Sequence, residues 1–156
     1  MAQSIRQTVL FDAKPEQVFE ALMDSRQHAA FTGAPARISR KVGGAVSAYG
    51  TYVAGYNVHI VQDKAIVQAW RASDWPTNAW SVASFVLQPA AGGKTKLTFE
   101  QHGVPNKAAK GMTAGWKAAY WEPLRKMLKD RTGAGAKAGK RKTASSAASV
   151  RRQARA

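Results

Sequence analysis

NKAAKGMTAGWKAAYWEPLRKMLKD, residues 106–130, decides the fold. Met112, Trp116, Tyr120, Leu124, Met127 and Leu128 recur at spacings of three and four, the period that places side chains on one stripe of an α-helix. It is the longest helical pattern in the chain. Pro123 interrupts it, because proline has no N–H for the carbonyl of Ala119 and crowds that oxygen, so the sequence predicts a kink near Ala119 to Glu122. A stripe this long needs an apolar surface to lie on.

The residues before it supply that surface as strands. Ser4 to Phe11 alternates, with Ile5, Val9 and Phe11 set against Arg6 and Thr8. Pro15 then opens a helix at its first position, with Glu16 near the positive dipole end and Val18, Phe19, Leu22 and Met23 on one stripe. A second short helix is expected over Arg26 to Phe31. From there to about Gln101 the turn chemistry of Gly43-Gly44, Gln62-Asp63-Lys64 and Ala91-Gly92-Gly93 punctuates strands, clearest over Val58–Val61, Ile66–Trp70, Trp80–Leu87 and Thr95–Gln101. No βαβ alternation occurs, so the sheet is expected to be antiparallel. The class is α+β: a strand, two short helices, a long meander and one long C-terminal helix. A curved sheet wrapped around that helix buries both apolar faces and can leave a cavity between them.

Between Val42 and Trp121 an ordered series of residues resembles a known family. Gly43-Gly44, Val53 with Gly55, Ile66-Val67 leading into Trp70-Arg71, Trp75-Pro76, Gly103-Val104-Pro105, Gly115-Trp116 and Tyr120 are similar to the C-terminal domain of activators of the 90-kDa heat-shock protein ATPase. That domain is a branch of the START-like, or SRPBCC, superfamily. The opening segment, Ile5 to Leu22, is similar to the strand and helix that begin such domains, so the resemblance covers roughly residues 3–130. It implies a helix-grip fold. It does not imply one activity, since folds of this kind host lipid carriers, cyclases, hormone receptors and co-chaperone domains.

QAWRASDWPTNAW, residues 68–80, concentrates three tryptophans in 13 positions. The resemblance implies that Trp70 points into the groove while Arg71 faces the other way, that Trp75-Pro76 forms the connection and that Trp80 begins the next strand. Tryptophan buries a large area and keeps one N–H to place, so it suits a pocket wall as well as a core. On the long helix, the resemblance implies that the face carrying Trp116, Tyr120 and Trp121 closes the cavity. Together with Phe85 and Phe99, these six make the candidate ligand pocket: Trp70, Trp75, Trp80, Trp116, Tyr120 and Trp121. Arg71 is the polar candidate, either binding an acidic ligand or pairing with Glu100 or Asp74.

Charge and composition bound the remaining possibilities. The 156 residues fit one globular domain of 45% hydrophobic composition, and the absence of cysteine excludes thiol catalysis, thiolate zinc sites and disulfides. Residues 131–156 carry eight Lys or Arg and no acid, leaving the body with +7 of the total +15. With one Val and no other large apolar residue, this tail cannot offset its chain entropy and is expected to be disordered, making salt-dependent contacts with nucleic acid or anionic surfaces. Residues 1–130 then form the folded domain. No apolar run approaches the roughly 18 residues of a membrane span, and a cytoplasmic location is expected.

Catalytic signatures are missing. His28, His59 and His102 lie in separate elements without a metal-ligand spacing, and no nucleophile elbow, P-loop or dinucleotide fingerprint occurs. No cofactor or metal is expected. Alternation sends Leu97, Phe99 and Gln101 to the cavity side and Glu100 and His102 to solvent. Three functions follow: a non-catalytic domain binding a small apolar or aromatic molecule, a protein-interaction module docking on a chaperone as the resemblance implies, or an enzyme of cyclase, aromatase or hydrolase type using Tyr49, Tyr52 or Tyr56.

Overall fold

A computed structural model of the chain describes residues 2–133. Its elements run β1 (Ala2–Phe11), α1 (Pro15–Met23), α2 (Ser25–Thr32), β2 (Arg37–Ile38), β3 (Ala45–Ala48), β4 (Val53–Val61), β5 (Ala65–Ala72), β6 (Ser81–Ala90), β7 (Lys94–Pro105), α3 (Asn106–Gly115), a π-helical segment (Trp116–Trp121) and α4 (Glu122–Gly133). The seven strands form one antiparallel sheet in the order β1-β7-β6-β5-β4-β3-β2. The chain thus makes one long meander and closes it by pairing its first strand with its last. This is the curved sheet around a C-terminal helix that the alternation and the long stripe predict.

Local chemistry fixes the short elements. Gln17 Oε1 accepts the backbone N–H of Lys14 at 2.9 Å at the start of α1, and Pro15 fills the first helical position without losing a hydrogen bond. The Asp24 carboxylate caps α2 by accepting the Gln27 N–H at 2.9 Å, and Gly33 ends that helix in the left-handed region. The second short helix therefore runs one residue further at each end than the apolar pattern indicates. Gly55 faces Trp70 across the β4–β5 ladder, and a Cβ there would lie 1.9 Å from the Ala69 carbonyl oxygen. Only glycine permits that approach.

The core lies between the concave sheet face and the helices, with Phe11, Phe19, Leu97, Phe99, Trp121 and Leu124 among its most deeply buried side chains. Two glutamines tie helix to sheet within it. Trp116 Nε1–H donates to Gln101 Oε1 at 2.9 Å, Gln101 Nε2–H donates to Ser81 Oγ at 3.0 Å, and Ser81 donates to the Trp70 carbonyl at 2.7 Å. Trp121 Nε1–H donates to Gln7 Oε1 at 2.6 Å, whose amide returns a bond to the Thr113 carbonyl at 3.0 Å.

Where the proline reading places a kink over Ala119 to Glu122, the helix instead widens into π-helical turns over Trp116–Trp121, the Glu122 N–H reaching the Lys117 carbonyl. The Ala119 carbonyl, which Pro123 cannot serve, accepts the Tyr49 hydroxyl at 2.9 Å. The C-terminal boundary also moves. α4 continues to Gly133, and Arg131 donates to Gln27 Oε1 at 2.7 Å, so this residue belongs to the helix and not to the tail. The rest of the basic tail, residues 134–156, lies outside the described residues.

Gln101→Leu should strand the Trp116 indole N–H in the interior. The expected loss is about 2 kcal/mol, the cost of one buried unsatisfied donor, read from urea denaturation of the two proteins side by side.

Candidate functional site

Between the sheet and the C-terminal helix lies a cavity of about 480 Å³, open to solvent on one side. Its helical wall comes from α3 and the π-helical segment, where Ala108, Gly111, Met112, Gly115, Trp116 and Tyr120 recur every three or four residues. Small residues dominate the α3 part. A Cβ added at Gly111 or at Gly115 would meet no atom within 4 Å, so these glycines leave open space rather than permit close packing. None of the α3 side chains is buried, whereas the π-helical segment buries Trp116, Tyr120 and Trp121. The helix is anchored from its middle onward, and its first half roofs the cavity.

The sheet wall carries the tryptophans of the 68–80 stretch, divided between two faces. Trp70 and Trp75 are buried with ring centroids 5.5 Å apart, and Trp116 lies 5.8 Å from Trp70 across the cavity's end. Phe85 continues the wall, 6.1 Å from Trp116. Trp80 does not line it. This side chain is 47% exposed on the outer sheet face beside Tyr56, at 6.1 Å, with the Arg71 guanidinium over its ring at 5.8 Å. Phe99 and Trp121 stand one layer back, packing against Trp116 at 4.3 and 5.5 Å without lining the cavity. The structure therefore brings Trp70, Trp75, Phe85, Trp116 and Tyr120 together and leaves the other three aromatic candidates elsewhere.

Arg71 makes neither of the expected ion pairs. Its guanidinium donates to the carbonyls of Ala79, Trp75 and Pro76 at 3.1–3.3 Å, pinning the loop that carries Trp75. Glu100 pairs with Arg6 at 3.1 Å, and Asp74 accepts the Tyr52 hydroxyl at 3.0 Å. His102, on the same outer face as Glu100, bonds Ser4 at 2.9 Å. Of the three tyrosines, Tyr49 and Tyr52 line the cavity and Tyr56 does not. Tyr49 takes a positive φ of 51°, unusual for a bulky residue, and from there its hydroxyl reaches the helix. Burial pushes that hydroxyl up to about 12, so it stays protonated as a donor.

One wall residue gave no sequence signal. His28, from α2, is buried against Phe31 and Tyr120, with ring centroids at 5.0 and 5.3 Å, and its Nε2 lies 2.9 Å from the Tyr120 hydroxyl. Its Nδ1 has no partner among the described residues. Burial holds the imidazole down at about 4 and drives the Tyr120 hydroxyl well above its ordinary value, so both are uncharged at neutral pH. A lone histidine in a short helix has no spacing from which this could be read. Among the described residues no group of His, Asp or Glu is arranged to hold a metal ion.

The depressed histidine makes stability pH-dependent with a definite sign. The unfolded imidazole takes up its proton near 6.5 and the folded one only near 4, so this contribution is complete above pH 6.5 and is lost as pH falls toward 4. The loss should be roughly 3 kcal/mol, and His28→Gln should remove that part of the pH dependence. Urea denaturation of both proteins at several pH values between 7.5 and 4.5 checks it; parallel curves would contradict it.

Comparison with known proteins gives the same architecture a family. The model for the family described as Activator of Hsp90 ATPase homolog 1-like protein matches residues 12–129. The mouse protein "Activator of 90 kDa heat shock protein ATPase homolog 2" is 26% identical over 121 residues, covering 78% of this chain and 36% of that protein. The human "Activator of 90 kDa heat shock protein ATPase homolog 1" is 27% identical over 115 residues, covering 74% and 34%. The chain thus spans about a third of the length of the curated relatives it matches. Among solved structures, an HSP90 activator from Plasmodium falciparum superposes with a TM-score of 0.72 at 22% identity, covering 85% of this chain and 96% of that one. The solution structure of the Aha1 dimer from Colwellia psychrerythraea superposes with a TM-score of 0.68 at 15% identity, covering 81% and 96%. Those two likenesses show the fold. With the family model spanning most of the domain, the chain belongs to the family of Activator of Hsp90 ATPase homolog 1-like proteins.

Proposed function

We propose that this chain is a non-catalytic SRPBCC-type domain that binds a small apolar or aromatic molecule in the cavity between its sheet and its C-terminal helix. The observation that carries the reading is the roof of that cavity. A helix that presents Ala108, Gly111 and Gly115 to the pocket and buries none of its own side chains forgoes packing that larger residues would supply. Opposite it stand Trp70, Trp75 and Phe85, whose rings offer flat apolar contact at low entropic cost. A volume of about 480 Å³ is in the range of small-molecule sites.

A second reading, a protein-interaction module that docks on a chaperone, draws on the named relatives and on the other side of the sheet. Tyr56, Trp80, Val82 and Val86 expose apolar surface on the outer face, where ladder register puts Tyr56 and Val82 on either side of Ala69. Stimulation of a chaperone ATPase belongs to this reading. Because the two readings use opposite faces, substitutions separate them: Val82→Glu should weaken partner binding and spare the cavity.

Native mass spectrometry of the gently purified full chain tests the first reading. The expected result is a reproducible mass increment, lost on denaturation and lost from Gly111→Leu, whose side chain enters the open space while the melting temperature holds within a few degrees. An increment that persists in Gly111→Leu, or a bare polypeptide mass that no added aromatic compound changes, would overturn it.

A further inference from the structure

A count of hydrogens at the His28–Tyr120 pair gives more than a polar spot on the wall. A neutral imidazole carries one N–H, and the phenol carries one O–H, so the pair holds two donor hydrogens. One is consumed by the bond between Nε2 and the hydroxyl, 2.9 Å long. If Nε2 carries the proton it donates to the phenol oxygen, and the phenolic hydrogen is left over. If Nδ1 carries it, the phenol donates to Nε2 and the Nδ1–H is left over, an atom with no partner among the described residues and no accessible surface, so that nothing in the cavity reaches it. Either tautomer therefore leaves one buried donor without an acceptor among the described residues, and only the phenolic one, left over when Nε2 carries the proton, is open to the cavity. Such a donor costs on the order of 1–3 kcal/mol unless something in the cavity accepts from it.

We propose that the His28–Tyr120 pair is the polar anchor of the cavity: with the imidazole proton on Nε2 and donated to the phenol oxygen, the Tyr120 hydroxyl donates to a hydrogen-bond acceptor oxygen, of the carbonyl class, on an otherwise apolar, uncharged ligand. This deepens the cavity-binding reading and rests on it. Both residues line the cavity, and the rings around the pair, Phe31 at 5.0 Å from each and Phe85 at 6.5 Å from Tyr120, are apolar. An anionic oxygen does not fit. Lys107 is the one cation among the residues lining the cavity, and it sits exposed 13 helical positions from Tyr120, about 20 Å along the axis. A buried carboxylate beside an uncharged pair would have no compensating charge. The other hydroxyls on the wall are engaged, Tyr49 with the Ala119 carbonyl and Tyr52 with Asp74.

The test compares 9-fluorenone with fluorene, two flat tricycles that differ in one carbonyl, by quenching of tryptophan fluorescence in the full chain at pH 7. Fluorenone should bind about ten-fold more tightly than fluorene, the effect of one satisfied buried hydrogen bond. The paired replacement His28→Leu with Tyr120→Phe removes both polar partners at once; it should equalise the two compounds and leave the affinity for fluorene within about two-fold, which also reports an intact cavity. Independently of any variant, the carbonyl stretch of bound fluorenone should move to lower frequency than in hydrocarbon solvent. Equal binding of both compounds by the unaltered chain, or a preference that survives in the double variant, overturns the anchor and leaves the cavity reading standing. Failure of both compounds to bind the unaltered chain overturns the cavity reading and the anchor together.

Discussion

Two indole N–H groups have to be buried for this helix to lie on this sheet, and the rest of the structure is arranged around their satisfaction. Trp116 and Trp121 are five residues apart, which in a regular α-helix at 100° per residue puts them about 140° apart around the axis. They could not then both face the sheet. The π-helical turns over Trp116–Trp121 absorb that angle, and the two rings stack with centroids 5.5 Å apart, each aimed at a glutamine of a different strand. Pro123 makes the wider turn cheap, because the hydrogen bond an α-helix would form to Ala119 is already forbidden there, and Tyr49 takes up the freed carbonyl.

The clamp divides the helix into unlike halves. Behind it, α4 buries Leu124 and Leu128 almost completely, while ahead of it α3 buries nothing and carries two glycines. Each glycine in a helix interior costs about 1 kcal/mol relative to alanine, so α3 is the weaker element both by propensity and by packing. A cavity survives beside it for that reason: the tryptophans hold the helix down, while α3 packs only the partly buried Ala108, Ala109 and Met112 against the core.

The elements were legible because their signals are local. Alternation over Ile5 to Phe11 and the stripe from Met112 to Leu128 encode which side of each element is apolar, and both are realised. Alternation also places Gln101 inward, as a polar residue at a core position that must find a partner. What the sequence leaves open is depth and neighbourhood. Phe99 and Trp121 face inward as expected but end one layer behind the cavity wall, a distinction that depends on how Trp116 packs over them. Arg71 offers no local sign that its donors go to three carbonyls of its own loop rather than to a carboxylate. His28 meets Tyr120 from 92 positions away, so neither residue announces the other.

The dense indole of residues 68–80 is explained by the pleat. Successive residues of β5 point to opposite sides, sending Trp70 into the cavity and Arg71 outward, and the loop that follows repeats the division with Trp75 inside and Trp80 outside. Arg71 holds both outcomes together, since it pins the Trp75-Pro76 backbone on one side and covers the Trp80 ring on the other. A slip of one residue in the β4–β5 register would exchange every one of these positions and would also move Gly55 off the Trp70 backbone, where no Cβ fits. The same glycine that lets two strands touch thus keeps the tryptophans sorted between an inner face that encloses space and an outer face that meets solvent.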